Sequence, residues 1–209
     1  MSLLLATWLC QVSGDCIGKA REWVEEALRL AIEYGFPELM GHAREFRGWA
    51  LGRQGALREG VEEMHCGFVA VQATGAAFTK PHLLAALAEA QGAIGQVAEG
   101  LNTLAEALTV ANKTGERWYE AELHRLKGEL SPDPQVEAEA SFRRALEIAR
   151  RQQAKSLELR VAVSLARLWP EQGKKAEAWQ LLSEIYRWFT EGFDRKDLQE
   201  AKAMLDRLS

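Results

Sequence analysis

The hydrophobic pattern over residues 117–148 predicts two helices joined by a turn. The apolar positions of the first helix recur at spacings of four, three and four, and they are Tyr119, Leu123, Leu126 and Leu130. This spacing forms one stripe on an α-helix. A narrower stripe of small residues, Ala121 and Gly128, follows the opposite side. Because glycine costs about 1 kcal/mol inside a helix, Gly128 predicts close packing against another helix.

Residues 131–134, Ser-Pro-Asp-Pro, predict the end of the first helix and the start of the second. Asp133 can cap the second helix, and Pro134 suits its first position. The apolar side of the second helix consists of Val136, Ala140, Phe142, Ala145, Leu146 and Ala149. A helix that is apolar on two sides needs a neighbour on each side, so this hairpin predicts a repeat.

Small and apolar residues recur at intervals of 40 residues in five columns. The columns are Gly128, Ala88 and Gly48; Gly115, Gly75 and Gly35; Ala107, Gly67 and Ala27; Gly100, Gly60 and Ala20; and Leu104, Met64 and Val24. The glycines at 35, 75 and 115 occupy the place where a helix C-terminus favours a left-handed residue. Gln153 holds that place in the fourth repeat.

The repeat predicts an all-α fold, a right-handed superhelical solenoid of about five helical hairpins with a C-terminal capping helix. We expect hairpins at 2–35, 37–75, 79–115, 116–154 and 156–192, and the capping helix at 194–208. All of them would belong to a single repeat domain, 1–209. No long run alternates with a period of two, so no sheet is expected.

Composition adds few constraints on function. The chain has 209 residues, of which 47% are hydrophobic, and its 30 acidic and 26 basic residues leave a net charge of −4, which gives no general attraction to nucleic acid. Three cysteines, Cys10, Cys16 and Cys66, form a sparse, odd set, which favours a reducing cytoplasm. Residues 3–10 lack the flanking features of a signal peptide. The pattern begins within a repeat, so we expect a piece of a larger protein.

The sequence contains no motif that supports catalysis, a cofactor or a metal site. Residues 14–20 resemble a phosphate loop, but three residues instead of four separate the glycines and Ala20 replaces Ser or Thr. No histidine or cysteine set has zinc-site spacing. No segment reaches the roughly 20 apolar residues of a membrane span. The prediction is a chain that is not an enzyme and binds no cofactor, metal or membrane.

One flank of each predicted first helix combines aromatic, histidine, arginine and glutamate residues. We call it the first-helix flank, and it comprises His42, Glu45, Trp49, His82, Glu89, Trp118, Glu122, Arg125, Glu129, Arg160 and Arg167, with Phe78 beside His82. First helices line the concave side of a right-handed stack, and this residue mixture suits a binding surface. A solvent-exposed polar helix face, on which an aromatic side chain covers the junction between two helices, explains the pattern equally well. Five other tryptophans are predicted to be packing residues, namely Trp8, Trp23, Trp169, Trp179 and Trp188.

A local excess of basic residues lies in the fourth and fifth hairpins. It consists of Arg143, Arg144, Arg150, Arg151, Lys155, Arg160 and Arg167. Such a patch can bind an acidic partner, a phosphate or nucleic acid. Because the whole chain is acidic, we favour a solvated outer face that glutamates balance across the turn.

The helical pairs resemble tetratricopeptide repeats (TPR). The resemblance rests on the small first-helix residue, Gly48, Ala88 or Gly128, and on the second-helix column Ala138, Phe142 and Ala145. The repeat of 40 is longer than the usual 34 residues. In that family the first helices form a peptide-binding groove. The resemblance therefore implies groove positions at His42, Glu45, Trp49, His82, Glu89, Glu122, Arg125 and Glu129.

A narrower resemblance covers residues 115–130, 156–160 and 188–193. These segments are similar to the C-terminal repeat regions of bacterial regulators that join a nucleotide-cyclase domain to an AAA- or STAND-type ATPase. The resemblance implies a sensor or scaffold arm without activity of its own. We therefore expect a non-catalytic interaction scaffold that binds a protein segment or neighbouring domain. The alternatives are a small-ligand sensor that controls an attached ATPase or cyclase and, less favoured, a nucleic-acid binder.

Overall fold

The computed structural model describes residues 2–13, 17–76, 79–133 and 135–209, and within them the chain is α-helical. The helices are α1 Ser2–Ser13, α2 Ile17–Glu33, α3 Pro37–Arg53, α4 Leu57–Ala73, α5 Lys80–Ala93, α6 Val97–Thr114, α7 Glu120–Glu129, α8 Glu137–Arg151, α9 Lys155–Leu168, a 3-10 turn at Trp169–Gln172, α10 Lys175–Tyr186 and α11 Lys196–Leu208. The predicted all-α helical-repeat fold is confirmed. Gly14, Cys16, Phe78 and Pro134 lie outside the described residues.

The chain forms two compact units, Met1–Thr103 and Leu104–Ser209, with the boundary inside α6. In the first unit, α3 and α4 approach each other through glycines. A Cβ atom added at Gly48 would lie 2.4 Å from the carbonyl oxygen of Gly60, and one at Gly41 would lie 3.0 Å from that of Gly67. Only residues without side chains allow two backbones to come so close. The small columns of the repeat therefore mark helix contacts in this unit.

In the second unit, the corresponding glycine faces a ring instead of a backbone. A Cβ atom at Gly128 of α7 would lie 2.5 Å from a ring carbon of Phe142 on α8. The predicted close packing at Gly128 is therefore confirmed. The core of this unit joins α8, α9, α10 and α11, and its largest fully buried side chains include Leu159, Leu165 and Leu182.

The turns confirm the predicted left-handed positions. Gly35, Gly75 and Gly115 have φ values of 69°, 79° and 78°. Gln153 takes the same conformation, with φ 55°, after the end of α8. There Ala154 N–H donates to the carbonyl of Ala149 and Gln153 N–H donates to that of Arg150. This pair of bonds is the Schellman arrangement, so the turn keeps its geometry without glycine.

The tryptophans range from buried to exposed, and Trp8, Trp23 and Trp49 are partly buried. Trp169 is buried in the core of the second unit, as predicted. Trp179 and Trp188 are exposed, Trp188 by 59%, which differs from the packing role expected for both. Trp179 lies under the guanidinium of Arg187, and Trp188 packs edge-on against Phe189.

Candidate functional site

Charged residues of three helices come together in the second unit. We call the group the arginine–carboxylate network. It consists of Glu122, Arg125 and Glu129 on α7, Arg160, Ser164 and Arg167 on α9, and Asp197 and Glu200 on α11. Five of these residues belong to the predicted first-helix flank. The structure thus brings together flank residues that are up to 45 positions apart in the chain.

Arg125 holds the α7 part of the network together. Its Nε and Nη2 donate to the two carboxylate oxygens of Glu122 at 3.0 and 2.8 Å, and its Nη1 donates to Glu129 Oε1 at 3.1 Å. A two-pronged arginine–carboxylate contact is stronger and more directional than a single bond. Glu122 is nearly inaccessible, with 4% of its side chain exposed. This pair therefore forms the buried interior of the network.

Arg160 connects α7 to α11 through α9. Its Nε donates to Asp197 Oδ2 at 2.8 Å, and its Nη1 lies 3.7 Å from Glu122 Oε1. Burial of this side chain opposes its charge, but the carboxylate of Glu122, the Tyr119 hydroxyl and Asp197 outweigh that effect and raise the pKa of Arg160 above its ordinary value. Arg160 therefore stays charged and contributes to the alignment of three helices.

The outer part of the network faces solvent. Arg167 is 46% exposed; its Nη1 lies 3.8 Å from Glu129 Oε1, and it also pairs with Glu200 of α11. Ser164 donates to Glu129 Oε1 at 2.6 Å. Three arginines against four carboxylates leave one negative charge across the network. Glu129, Arg167 and Glu200 are the most exposed members of the network, because the inner pairs are largely covered.

Sequence reasoning missed Asp197 and Glu200, which it placed in a helix expected only to cap the stack. A weak signal exists in the spacing of the flank positions. Glu122 and Arg160 are 38 residues apart, and Arg160 and Asp197 are 37 apart. Continuing the column by one more period leads to the first of the two carboxylates. The column shows neither that Asp197 reaches Arg160 nor that Glu200 reaches Arg167.

In the first unit, most of the first-helix flank is covered by the unit's own side chains. Glu45 is 3% exposed and His82 is 1% exposed. The ring of Trp8, from α1, meets the ring of His82 edge-on at 6.2 Å between centroids. Trp49 packs against Val61, Met64 and Leu87. Glu45 and His82 are therefore unavailable to a partner in this conformation, and Trp49 is partly covered.

Glu45 is a buried carboxylate with an incomplete set of partners. His42 Nδ1 lies 3.1 Å from its Oε2, whereas its Oε1 has no hydrogen-bond partner among the described residues. Burial raises the pKa of Glu45, and the bond to His42 opposes that rise. Glu89, by contrast, is exposed.

The remaining residue of the first-helix flank, Trp118, lies in the second unit. Its indole N–H donates to Glu116, and its ring packs on Tyr119.

The predicted basic patch is largely neutralised by carboxylates. Six of its seven members form ion pairs within the described residues: Arg143 with Glu139, Arg144 with Glu147, Arg150 and Lys155 with Glu158, Arg160 with Asp197, and Arg167 with Glu200. This pairing matches the balanced outer face that was favoured from the sequence. It removes most of the excess positive charge that binding to nucleic acid would need.

A pocket of about 710 Å³ opens beside Trp188 in the second unit. It is lined by Arg150, Gln153, Lys155, Glu158, Glu184 and Trp188. The pocket is open and mostly charged, and its two cations already bind the buried carboxylate of Glu158.

Over the described part of the chain, no group of His, Cys, Asp or Glu side chains is arranged to hold a metal ion. None of the helices described is both long and apolar enough to cross a membrane.

Comparison with solved structures identifies the fold. The chain aligns with the nearly identical TPR-like repeats of a protein from Podosopora anserina, described as a kinesin light chain. The TM-score is 0.54 at 21% identity, covering 88% of this chain and 91% of that one. The chain has a TPR-like helical-repeat fold. A second structure of these repeats matches with a TM-score of 0.52 at 19% identity, covering 99% of this chain and 94% of that one.

No protein-family model matches this chain, and none of the curated proteins matches it either. The TPR-like fold therefore rests on its agreement with solved structures, at a sequence identity that carries no information about ligands.

Proposed function

We propose that this chain is a non-catalytic protein-interaction module that binds a partner segment or a neighbouring domain across α7, α9 and α11. The observation that carries the proposal is the arginine–carboxylate network, in which polar groups of the first helices α7 and α9 and of the capping helix α11 lie on one surface. Glu129, Arg167 and Glu200 offer charges of both signs at its accessible edge. The TPR-like fold supports the same function, because stacked helical repeats commonly use such surfaces for recognition.

The network gives selectivity more than affinity. Its charges already have partners within the chain, so a binding segment must exchange one ion pair for another. A segment whose charges do not match would leave an arginine or a carboxylate desolvated and unpaired, which is costly. We propose that Glu122, Arg125 and Arg160 hold the surface in shape and that Glu129 and Arg167 contact the partner. Trp118 supplies apolar area at the start of α7.

We propose further that the chain is one repeat domain, 1–209, that serves as an arm of a larger bacterial regulatory protein in the cytoplasm. The resemblance of residues 115–130 to such regulators motivates this context, which stays a prediction. In the first unit, His42 and Glu89 are the flank residues that a partner can reach. A small-ligand sensor remains the alternative, but it calls for an enclosed apolar pocket, and the pocket beside Trp188 is open and charged.

The proposal is tested by neutralising the accessible edge and leaving the interior unchanged. A partner that co-purifies with the chain is identified by mass spectrometry, purified and titrated against the wild type and the double variant Glu129→Gln with Arg167→Gln. We expect at least about a tenfold loss of affinity, because a hydrogen bond to a charged group contributes roughly 1.5–3 kcal/mol.

The matched control is Arg144→Gln with Glu147→Gln, which removes an exposed ion pair on the outer side of α8. It should leave affinity unchanged. Equal affinity of the wild type and the edge variant, with both fully folded by circular dichroism, would overturn the proposed surface.

A further inference from the structure

Helix α11 contacts α9 through two carboxylates, although the helix as a whole carries no net charge. Asp197 and Glu200 are three residues apart, so they lie on one side of α11. Their carboxylates reach Arg160 and Arg167, which are seven residues apart and share one side of α9. Both of these arginines of the first-helix flank are therefore occupied by carboxylates that belong to the last helix of the chain.

The other contact between α11 and its unit is apolar. Leu198, Ala201, Met204 and Leu208 are buried in the core that α11 shares with α9 and α10. The exposed side of α11 carries Lys202 and Asp206, which pair with each other. The helix thus has the two features of a docked amphipathic ligand, which are an apolar stripe and a charged edge matched to the receptor.

Charge balance specifies what can replace α11. With Asp197 and Glu200 in place, three arginines face four carboxylates. Without them, the network keeps Arg125, Arg160 and Arg167 against Glu122 and Glu129, so its charge changes from −1 to +1. Arg160 is mostly buried, so losing the carboxylate of Asp197 is unfavourable. A segment without carboxylates at these two positions would leave that deficit, whereas one that carries them would remove it.

We infer that α11 is a built-in ligand of α9 and that the partner docks by replacing it with an amphipathic helix carrying two carboxylates three residues apart. The inference rests on the proposed function and changes one part of it: the partner takes the place of α11, so that Arg160 as well as Arg167 pairs with it. The replacing helix also presents apolar residues in the places of Leu198, Met204 and Leu208, because displacement of α11 exposes their binding groove. The carboxylates of α11 keep the groove closed to segments that lack this charge.

The test uses the full chain and a labelled synthetic peptide with the sequence of residues 194–209 as the probe. Binding is measured by fluorescence anisotropy to the wild type and to the variant D197N/E200Q, in which the internal carboxylates are neutral. The peptide has four acidic and four basic residues, so it has no net charge, but it carries both carboxylates that pair with α9. We expect it to bind the variant at least about tenfold more tightly than it binds the wild type, which corresponds to about 1.4 kcal/mol. The gain should shrink as salt is raised, because ion pairs are screened.

Two controls separate charge matching from general loosening of α11. A peptide with the same two neutral substitutions should show no such gain on the variant chain. The chain variant Asp206→Asn, which removes a charge on the exposed side of α11, should bind the unsubstituted peptide as the wild type does. If D197N/E200Q does not fold, Glu200→Gln alone, which breaks a half-exposed pair, provides the same comparison with a smaller expected gain of about threefold.

The inference is overturned if the unsubstituted peptide and the peptide with two neutral substitutions bind the variant chain equally, or if the unsubstituted peptide binds the variant no more tightly than the wild type. Its failure differs from failure of the proposed function. If the natural partner loses affinity for the Glu129 and Arg167 variant while the unsubstituted peptide does not compete with it, the binding surface is supported and the exchange of α11 is not.

Discussion

The two compact units use the same small-residue column for different contacts. In the first unit, Gly48 lies against the backbone of Gly60, so α3 and α4 meet main chain to main chain. In the second unit, Gly128 makes room for the ring of Phe142. A repeat position therefore specifies that a residue is small and leaves open what fills the space.

The first-helix flank differs between the units in the same manner. Glu45 and Glu122 are both almost inaccessible. Glu122 accepts two bonds from Arg125, whereas Glu45 has one contact with His42 and an oxygen without a hydrogen-bond partner among the described residues. The buried carboxylate of Glu122 is thus paired and stabilises the second unit. The buried carboxylate of Glu45 is incompletely bonded and destabilises the first unit.

The largest expected effect tests the glycine contact of the first unit. Gly48→Ala should lower the free energy of unfolding by about 3 kcal/mol, because the new Cβ meets backbone atoms that cannot move aside separately. Urea denaturation followed by circular dichroism measures the change.

Two other glycines serve as references for this prediction. Gly128→Ala should cost about 1 kcal/mol, because the ring of Phe142 can shift and alanine favours the helix. Gly52→Ala, whose Cβ makes only ordinary contact in α3, should be neutral or slightly stabilising. The distinction between backbone and side-chain contact would be abandoned if Gly48→Ala and Gly128→Ala cost the same.

The next effect tests whether the network stabilises the second unit. Arg160→Met should destabilise the chain by about 2 kcal/mol, because it leaves the buried carboxylate of Glu122 and the half-buried Asp197 with fewer cationic partners. The exposed pair of Arg144 and Glu147 is the control, and Arg144→Met should change stability by less than about 0.5 kcal/mol. Both are measured by urea denaturation at low salt. Equal effects of the two variants would show that the network adds no stability.

A smaller effect concerns the buried carboxylate of the first unit. The pKa of Glu45 is raised in the folded chain above its ordinary value of 4.5. The folded state therefore holds this proton more tightly than the unfolded state does. The associated stability is complete below pH 4.5 and is lost as the pH rises through the folded pKa.

Glu45→Gln removes the loss of stability that accompanies ionisation of Glu45, because glutamine does not ionise. At pH 7 we expect the variant to be about 1 kcal/mol more stable than the wild type, because a neutral amide is less costly to bury than an incompletely bonded carboxylate. Thermal unfolding between pH 4 and pH 8 should show the difference growing with pH. The exposed Glu89→Gln is the control and should show no such trend. Parallel pH profiles for the wild type and Glu45→Gln would contradict the prediction.

The smallest effect concerns the turn after α8. Gln153→Gly should stabilise the chain by about 0.5 kcal/mol, because the residue has a positive φ that glycine adopts without strain. Gly115→Gln makes the opposite change at the corresponding turn after α6 and should destabilise by a similar amount. Differential scanning calorimetry should show a higher melting temperature for Gln153→Gly and a lower one for Gly115→Gln. A destabilised Gln153→Gly variant would mean that the glutamine side chain contributes more than the strain costs.

The sequence by itself determined the helical repeat, the turns and the small-residue columns, because these depend on spacing, glycine and proline within a few turns of chain. That spacing also placed five charged residues on one flank, namely Glu122, Arg125, Glu129, Arg160 and Arg167. Only the tertiary structure decided that Asp197 and Glu200 of α11 complete their network, and that the side chains of the first unit cover Glu45 and His82. Burial and ion pairing depend on contacts between residues more than 30 positions apart, and helix periodicity carries no distance information across that separation.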